Sequence, residues 1–144
     1  MNYEQSINYI HSIPKFRRPL GNANLEKLLT QLDNPQKKLK FIHIAGANGK
    51  GSTAAMTAEI LKKSGFKTGL FTSPYLEVFN ERIRINGENI TDNDLAEYVT
   101  RVKAIMEENN ALVSEFAFIT AVSFLYFYEK QCDIVVLEVG MGGK

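Results

Sequence analysis

The sequence is poor in the features that mark disulfide-rich, membrane-spanning or disordered proteins. It has one cysteine, Cys132, in 144 residues, so no disulfide can form within the chain. No apolar run approaches the roughly 18 residues of a transmembrane helix, and the N-terminus lacks the hydrophobic segment of a signal peptide. Because 44% of the residues are hydrophobic and 23% are charged, disorder is excluded. We therefore expect a globular cytoplasmic domain that does not bind membranes.

The chain has almost no net charge, with 17 lysines and arginines against 16 acidic residues. This balance argues against a surface that binds nucleic acid. The charges are nevertheless uneven, since residues 1–72 carry eleven basic and four acidic side chains and residues 73–144 carry six and twelve. A basic half can hold a phosphate or carboxylate and an acidic half a metal ion, whereas the alternative is charge scattered over solvated surfaces. Composition leaves both interpretations open.

Hydrophobic periodicity and turn residues predict a chain in which helices and strands alternate. Helices are expected over 3–13, around the leucines of 25–32, and over 52–64, 91–109 and 114–130. Strands are expected over 39–45, 67–71 and 133–139, with a hairpin of 82–85 and 88–90 around a type I′ turn at Asn86-Gly87. This order predicts an α/β fold, a parallel sheet flanked by helices of the kind found in phosphate-loop proteins.

A glycine-rich segment, Gly46-Ala-Asn-Gly-Lys-Gly-Ser52, lies between the first predicted strand and the helix that follows it. Glycines let backbone N–H groups turn toward phosphate oxygens, the helix directs its positive end at the same anion, and Lys50 adds a full charge. The common phosphate-loop pattern has glycine where this chain has Ile44, and serine or threonine where it has Gly51. The alternative is a strand-to-helix turn without a function.

Polar residues also follow the other two predicted parallel strands. Ser73 comes after the second strand, and Glu138 ends the third. Ligands of open parallel sheets lie beyond the carboxyl ends of the strands, and carboxylate and hydroxyl oxygens are ligands that Mg²⁺ accepts. The alternative for each residue is an ordinary polar strand end.

Three segments resemble the signatures of the folylpolyglutamate synthase and dihydrofolate synthase family, within the Mur ligase superfamily. They are Phe41–Thr53, which is similar to the family's nucleotide loop, Phe71–Gly87, similar to the loop beside its folate site, and Val136–Gly143, similar to the start of its third motif. The Gly51-Ser52 form favours the folate branch over the murein branch. The three motifs occur in the family's order and spacing over nearly the whole chain.

The resemblance implies a set of site residues and two cofactors, ATP and Mg²⁺. The ATP phosphates are expected on Asn48, Gly49, Lys50, Gly51 and Ser52, with Lys50 as the catalytic cation, and Mg²⁺ is expected on Ser73 and Glu138. Phe116 is a candidate wall for the pteridine of folate, although its periodicity fits a core position equally well. Arg82 is a second candidate for folate, left open because the hairpin alternation also allows a solvent position, which we expect for Arg84.

The resemblance also implies that the chain, 1–144, is the N-terminal portion of an ATP-binding domain. Residues 1–38 are then a helical N-terminal extension, and the glutamate-binding domain is absent. Ala47, Ala117 and Lys144 depart from the family's usual threonine, glutamate and arginine. The chain by itself is therefore expected to be inactive.

The implied function is an ATP-dependent ligase that joins L-glutamate to a folate through an acyl phosphate. We expect a monomer whose partners are three small molecules: folate, L-glutamate and ATP. A murein-type ligase or another phosphate-loop enzyme is the first alternative, and a nucleotide-binding portion without activity is the second. This chemistry needs no side-chain nucleophile, so Cys132 is not catalytic and His43, within the first strand, is expected in the core.

Overall fold

The computed structural model describes residues 1–15, 23–44, 50–73 and 77–138, and of residues 50–52 it describes the backbone. The helices are α1 (Tyr3–Ser12), α2 (Ala23–Gln31), α3 (Lys50–Lys63), α4 (Asp92–Glu108) and α5 (Glu115–Glu129). The strands are β1 (Phe41–Ile44), β2 (Thr68–Phe71), β3 (Ile83–Ile85), β4 (Glu88–Asn89) and β5 (Ile134–Glu138). Short 3₁₀ turns cover Pro35–Lys38 and Phe79–Arg82. Every predicted helix and strand is present in this part of the chain.

The chain divides into two compact units. The first unit combines Met1–Lys38 with Asp92–Tyr126, and the second combines Leu39–Thr91 with Phe127–Lys144. None of the helices in the described ranges is long and apolar enough to cross a membrane.

The first unit is built from helices. Helix α1 begins with a capping box, in which the Asn2 side chain accepts from the Gln5 N–H at 2.8 Å and the Gln5 side chain accepts from the Asn2 N–H at 2.9 Å. Helices α1 and α2 both contact α4. The Tyr9 ring of α1 also meets the Phe118 ring of α5 edge-on, with 5.5 Å between centroids.

The second unit contains a five-stranded sheet in the order β1-β5-β2-β3-β4. Strand β5 pairs in parallel with β1 and with β2, as the alternation of helices and strands predicted. The hairpin adds β3 antiparallel to β2 and β4 antiparallel to β3, so the whole sheet is mixed. The hairpin turn has the predicted type I′ form, since Asn86 and Gly87 have φ angles of 51° and 84°.

Helix α3 covers one face of this sheet. Its Ala54 is buried with Leu70 of β2 and Val136 of β5, and Ile42 and Ile44 of β1 pack against this cluster. The helix ends at a left-handed Gly65, where the N–H groups of Gly65 and Phe66 bond the carbonyls of Lys62 and Leu61. The predicted glycine stop is therefore confirmed.

Strand β1 departs from the expectation of a buried strand. In the described part of the sheet it pairs only with β5, on one side, and its residues are half-buried or exposed. His43 is exposed, because Ile42 and Ile44 face α3 and the alternation of a strand turns His43 to the opposite face. The expectation that His43 lies in the core was wrong.

The opposite face of the sheet has a close contact at Gly69. A Cβ added to Gly69 would lie 2.8 Å from the Phe127 ring, closer than side-chain carbons approach in real structures. Leu70, the next residue in β2, faces α3, so Gly69 and the Phe127 ring lie on the other side of the sheet. Glycine is required here because the ring occupies the space of a side chain.

We predict that Gly69→Ala destabilises the protein by about 1–3 kcal/mol, because the added methyl group overlaps a fully buried ring. Urea unfolding followed by circular dichroism measures the loss. In a Phe127→Leu background, where the smaller side chain leaves room, the same change should cost clearly less. Equal losses in the two backgrounds would show that the ring is not the cause.

Candidate functional site

The carboxyl ends of β2 and β5 bring together two residues that are 65 positions apart in sequence. Phe71 pairs with Leu137, so the residues that follow each strand emerge side by side. The Ser73 N–H donates to Oε1 of Glu138 at 3.0 Å. The two predicted metal ligands are therefore adjacent in the structure.

Glu138 is a buried carboxylate, with 7% of its surface exposed. A buried carboxylate is costly unless hydrogen bonds or cations compensate for the water it has lost. The bond from the Ser73 N–H supplies part of that compensation. A negative charge at the end of a parallel strand makes Glu138 a candidate ligand for a cation.

The donor atoms available at this edge suit Mg²⁺. Mg²⁺ takes oxygen ligands, usually one or two from protein side chains and the remainder from phosphates and water. Ser73 and Glu138 supply one hydroxyl and one carboxylate. Among the residues that the structure describes, no group of three or more His, Cys, Asp or Glu is placed to hold a metal by itself. The pair therefore fits a magnesium ion shared with a phosphate ligand rather than a closed protein cage.

The start of helix α3 lies at the same edge of the sheet. Ile44, the last residue of β1, pairs with Glu138, and α3 begins six residues later at Lys50. Lys50, Gly51 and Ser52 form its first residues, where backbone N–H groups are free of intrahelical bonds and carry a partial positive charge. The predicted phosphate-loop residues Asn48 and Gly49 lie outside the described residues.

Arg82, which the sequence left open, lies beside Ser73. Its Nη2 donates to Ser73 Oγ at 3.2 Å. Its guanidinium carbon is 5.3 Å from the centroid of the Phe79 ring. The Arg82 carbonyl accepts from the Thr72 N–H at 2.9 Å, which joins the segment before the hairpin to the end of β2.

Arg84, two residues further on, is held differently. Its Nε donates to Oδ1 of Asn89 across the hairpin at 2.9 Å. Its side chain is half-buried and lines a shallow groove between α3 and the hairpin. The expected solvent position is therefore only partly correct, because Arg84 lies on the α3 side of the sheet with its pairing partner Leu70.

Phe116, the predicted pteridine wall, lies in the first turn of α5 and is 36% exposed. This exposure excludes the alternative that Phe116 is a core residue of an apolar helix. A role in folate binding stays a prediction.

Sequence reasoning missed Phe79 and Asn80. Phe79 is buried, at 4% exposure, beneath the Arg82 guanidinium. The buried Asn80 amide donates to the Ile90 carbonyl at 2.7 Å, which fastens this irregular segment to the end of the hairpin. The sequence feature that could have indicated Phe79 is its position three residues before Arg82, in a segment without a regular hydrophobic period.

Comparison with known proteins finds close relatives, although no protein-family model matches the chain. The chain is 43% identical over 148 residues to the folylpolyglutamate synthase of Lacticaseibacillus casei, covering 99% of the chain and 35% of that protein. It is 38% identical over 147 residues to the dihydrofolate synthase/folylpolyglutamate synthase of Bacillus subtilis strain 168, covering 99% and 34%.

A solved structure described as an FPGS–AMPPCP–folate complex matches the chain with a TM-score of 0.92 and 42% sequence identity. The match covers 99% of this chain and 36% of that one. This chain therefore spans about a third of the length of the relatives it matches.

Cys132 is buried at the start of the segment leading into β5. Burial raises the pKa of its thiol from 9.0 to about 11, and the nearby Lys67 offsets only part of this effect. A thiol with a raised pKa is a weak nucleophile because the reactive thiolate is scarce at neutral pH. This agrees with a chemistry that does not use Cys132.

We predict that iodoacetamide alkylates Cys132 in the folded protein at pH 8 at least about 100-fold more slowly than free cysteine, since its thiolate fraction is that much smaller. Mass spectrometry of timed samples measures the rate, which should keep rising with pH toward 11. Denaturant should remove the difference. A fast rate in the folded protein that levels off near pH 9 would contradict the raised pKa.

Proposed function

Because this chain is homologous over nearly its whole length to folylpolyglutamate synthases, some of which are also dihydrofolate synthases, we propose that it forms the nucleotide- and magnesium-binding part of a ligase that adds L-glutamate to a folate. The observation that carries the proposal is the contact of Ser73 with Glu138 at the sheet edge where α3 begins. That edge combines a helix N-terminus for phosphate with oxygen donors for its cation.

The proposed nucleotide site is the loop before α3 together with the helix's first residues. Asn48 and Gly49 would offer backbone N–H groups, as would Gly51 and Ser52, while Lys50 would bring a full positive charge to the terminal phosphates. Support comes from the position of α3, whose first residue is six positions after the last residue of β1. The relative in complex with AMPPCP, an ATP analogue, shows that a protein of this fold accepts such a ligand.

The proposed metal ligands are the Ser73 hydroxyl and the Glu138 carboxylate. When bound there, Mg²⁺ would neutralise part of the charge on the ATP phosphates. The bond from the Ser73 N–H to the carboxylate supports a pair whose backbone and carboxylate are positioned by the protein's own contacts. Because a preorganised pair needs less ordering, less binding free energy is lost when the nucleotide binds.

The proposed reaction has two steps. The folate carboxylate takes the γ-phosphoryl group of ATP, which breaks the bond to ADP and gives an acyl phosphate. The amine of L-glutamate then attacks the acyl carbon, phosphate leaves, the amine loses a proton, and an amide bond is formed. The protein's contribution is mainly to orient the groups and stabilise negative charge, which is the role we propose for Lys50.

The folate would lie against exposed aromatic surface, for which we propose Phe116. The relative in complex with both AMPPCP and folate supports folate as a ligand beside the nucleotide analogue. We further propose that the protein acts as a monomer in the cytoplasm on these dissolved small molecules, without nucleic acid or membrane. The small net charge supports this part of the proposal.

We predict that Lys50→Ala weakens AMPPCP binding in MgCl₂ at least about tenfold, because a charge-assisted contact to phosphate is lost. Isothermal titration calorimetry on the chain gives the dissociation constant. Lys63→Ala is the matched control at the other end of α3, where the lysine forms an ion pair with Glu59 at 3.6 Å on the surface. Unchanged affinity in Lys50→Ala, or equal losses in both variants, would refute the phosphate role.

The substrate class is tested in a protein of the relatives' full length that contains this chain. Phosphate release from ATP should require both a folate and L-glutamate, and Lys50→Ala should abolish it. Release that instead depends on a UDP-sugar peptide would favour a murein-type ligase and contradict the folate proposal.

A further inference from the structure

We propose that Arg82 is a positioning residue that orients the Ser73 hydroxyl for the magnesium–nucleotide complex. The inference rests on the proposed function of the Ser73 and Glu138 pair. Arg82 then acts on the proposed metal ligands, Ser73 and Glu138, rather than by direct contact with folate.

The hydrogen bond between Arg82 and Ser73 can run in only one direction. A guanidinium only donates, so Ser73 Oγ must accept from Nη2 at 3.2 Å. A hydroxyl oxygen has two lone pairs and one proton. The bond from Arg82 occupies one lone pair and turns the proton away from the guanidinium. The second lone pair is then left on the side of the oxygen away from Arg82, where a cation can bind.

Ser73 is held at both ends. Its backbone N–H bonds Glu138 Oε1 at 3.0 Å, and its side chain bonds Arg82. Without Arg82 the backbone of Ser73 would keep its place, but the hydroxyl could rotate among the staggered positions about the Cα–Cβ bond. Arg82 therefore affects the direction of one proposed ligand atom, Ser73 Oγ. The position of Glu138 is set by strand pairing in the sheet.

Arg82 is itself fixed by contacts unrelated to any ligand. Its guanidinium lies over the Phe79 ring, which is buried, and its carbonyl accepts from the Thr72 N–H at 2.9 Å. A cation over an aromatic ring is attracted to the ring face, which limits the rotation of the guanidinium. Holding Arg82 in this way costs no further ordering when the nucleotide complex binds.

Partners that orient metal ligands leave a clear signature, since their loss typically weakens metal affinity 10- to 100-fold while the ligand itself remains. The quantity to measure is the magnesium effect, defined here as the AMPPCP dissociation constant in EDTA divided by that in excess MgCl₂. Isothermal titration calorimetry on the chain gives both constants. This ratio isolates the contribution of the cation from that of direct phosphate contacts.

We predict that Arg82→Met lowers the magnesium effect about tenfold and leaves the affinity in EDTA nearly unchanged. Methionine retains an apolar stem over Phe79, so thermal melting should show a folded protein. Arg84→Met is the matched control, because Arg84 lies two residues further along the chain and bonds Asn89 rather than Ser73. It should leave the magnesium effect unaltered.

A double-mutant cycle with Ser73→Ala separates positioning from general structural support. If Arg82 acts through the Ser73 hydroxyl, Arg82→Met causes no additional loss once that hydroxyl is gone. An additional tenfold loss in the Ser73→Ala background, or equal behaviour of the Arg82 and Arg84 variants, overturns the inference while the proposed function stands. If the wild-type chain binds AMPPCP equally well in EDTA and in MgCl₂, Ser73 and Glu138 are not the metal ligands. The proposed metal site and the inference about Arg82 are then both overturned.

Discussion

The hydrogen bond from the Ser73 N–H to the Glu138 carboxylate is the constraint around which the site is organised. It exists because β2 and β5 are parallel neighbours paired so that Phe71 lies opposite Leu137. A slip of one residue would turn Glu138 to the other face of the sheet, since side chains alternate along a strand. In the observed register Val136 packs with Ala54 of α3 and Leu70 of β2, so the packing of the sheet supports the geometry of the polar pair.

The hairpin makes a separate contribution, because it returns the chain to the end of β2. The Asn86 N–H donates to the Thr68 carbonyl, and the Asn86 side chain accepts from the Thr68 N–H at 2.9 Å. These two bonds fasten the turn to the start of β2. At the other end Ile83, fully buried, pairs with Phe71, which brings Arg82 beside Ser73. The type I′ turn therefore sets the position of a residue at the opposite end of the strand.

Local elements were predictable wherever a short-range physical rule decides the conformation. The stop of α3 at Gly65 and the turn at Asn86-Gly87 follow from positive φ angles that these residues adopt readily. His43 shows where such rules end. An apolar strand sequence does not reveal whether the strand lies at the centre of a sheet or at its edge. The exposure of His43 depends on which elements lie beside β1.

Some residues of the candidate site could likewise be predicted from the sequence, and others could not. Glu138 and Ser73 could be selected from sequence because polar residues at the ends of parallel strands converge on one edge. Arg82 could not be assigned, because its place depends on pairing with β2 and on a stacking partner, Phe79, in a segment without a period. Gly69 is similar: nothing in the sequence around it indicates that the Phe127 ring fills its side-chain space.

The sequence by itself determined the order of helices and strands, the position of the glycine-rich segment before α3, and the two candidate oxygen ligands at strand ends. These depend on residues close together in the chain or on a general property of parallel sheets. Only the tertiary structure decided that Arg82 donates to Ser73, that Arg84 lies on the α3 side of the sheet, and that His43 is exposed. Those facts depend on strand order and register, which arise from packing between segments far apart in sequence.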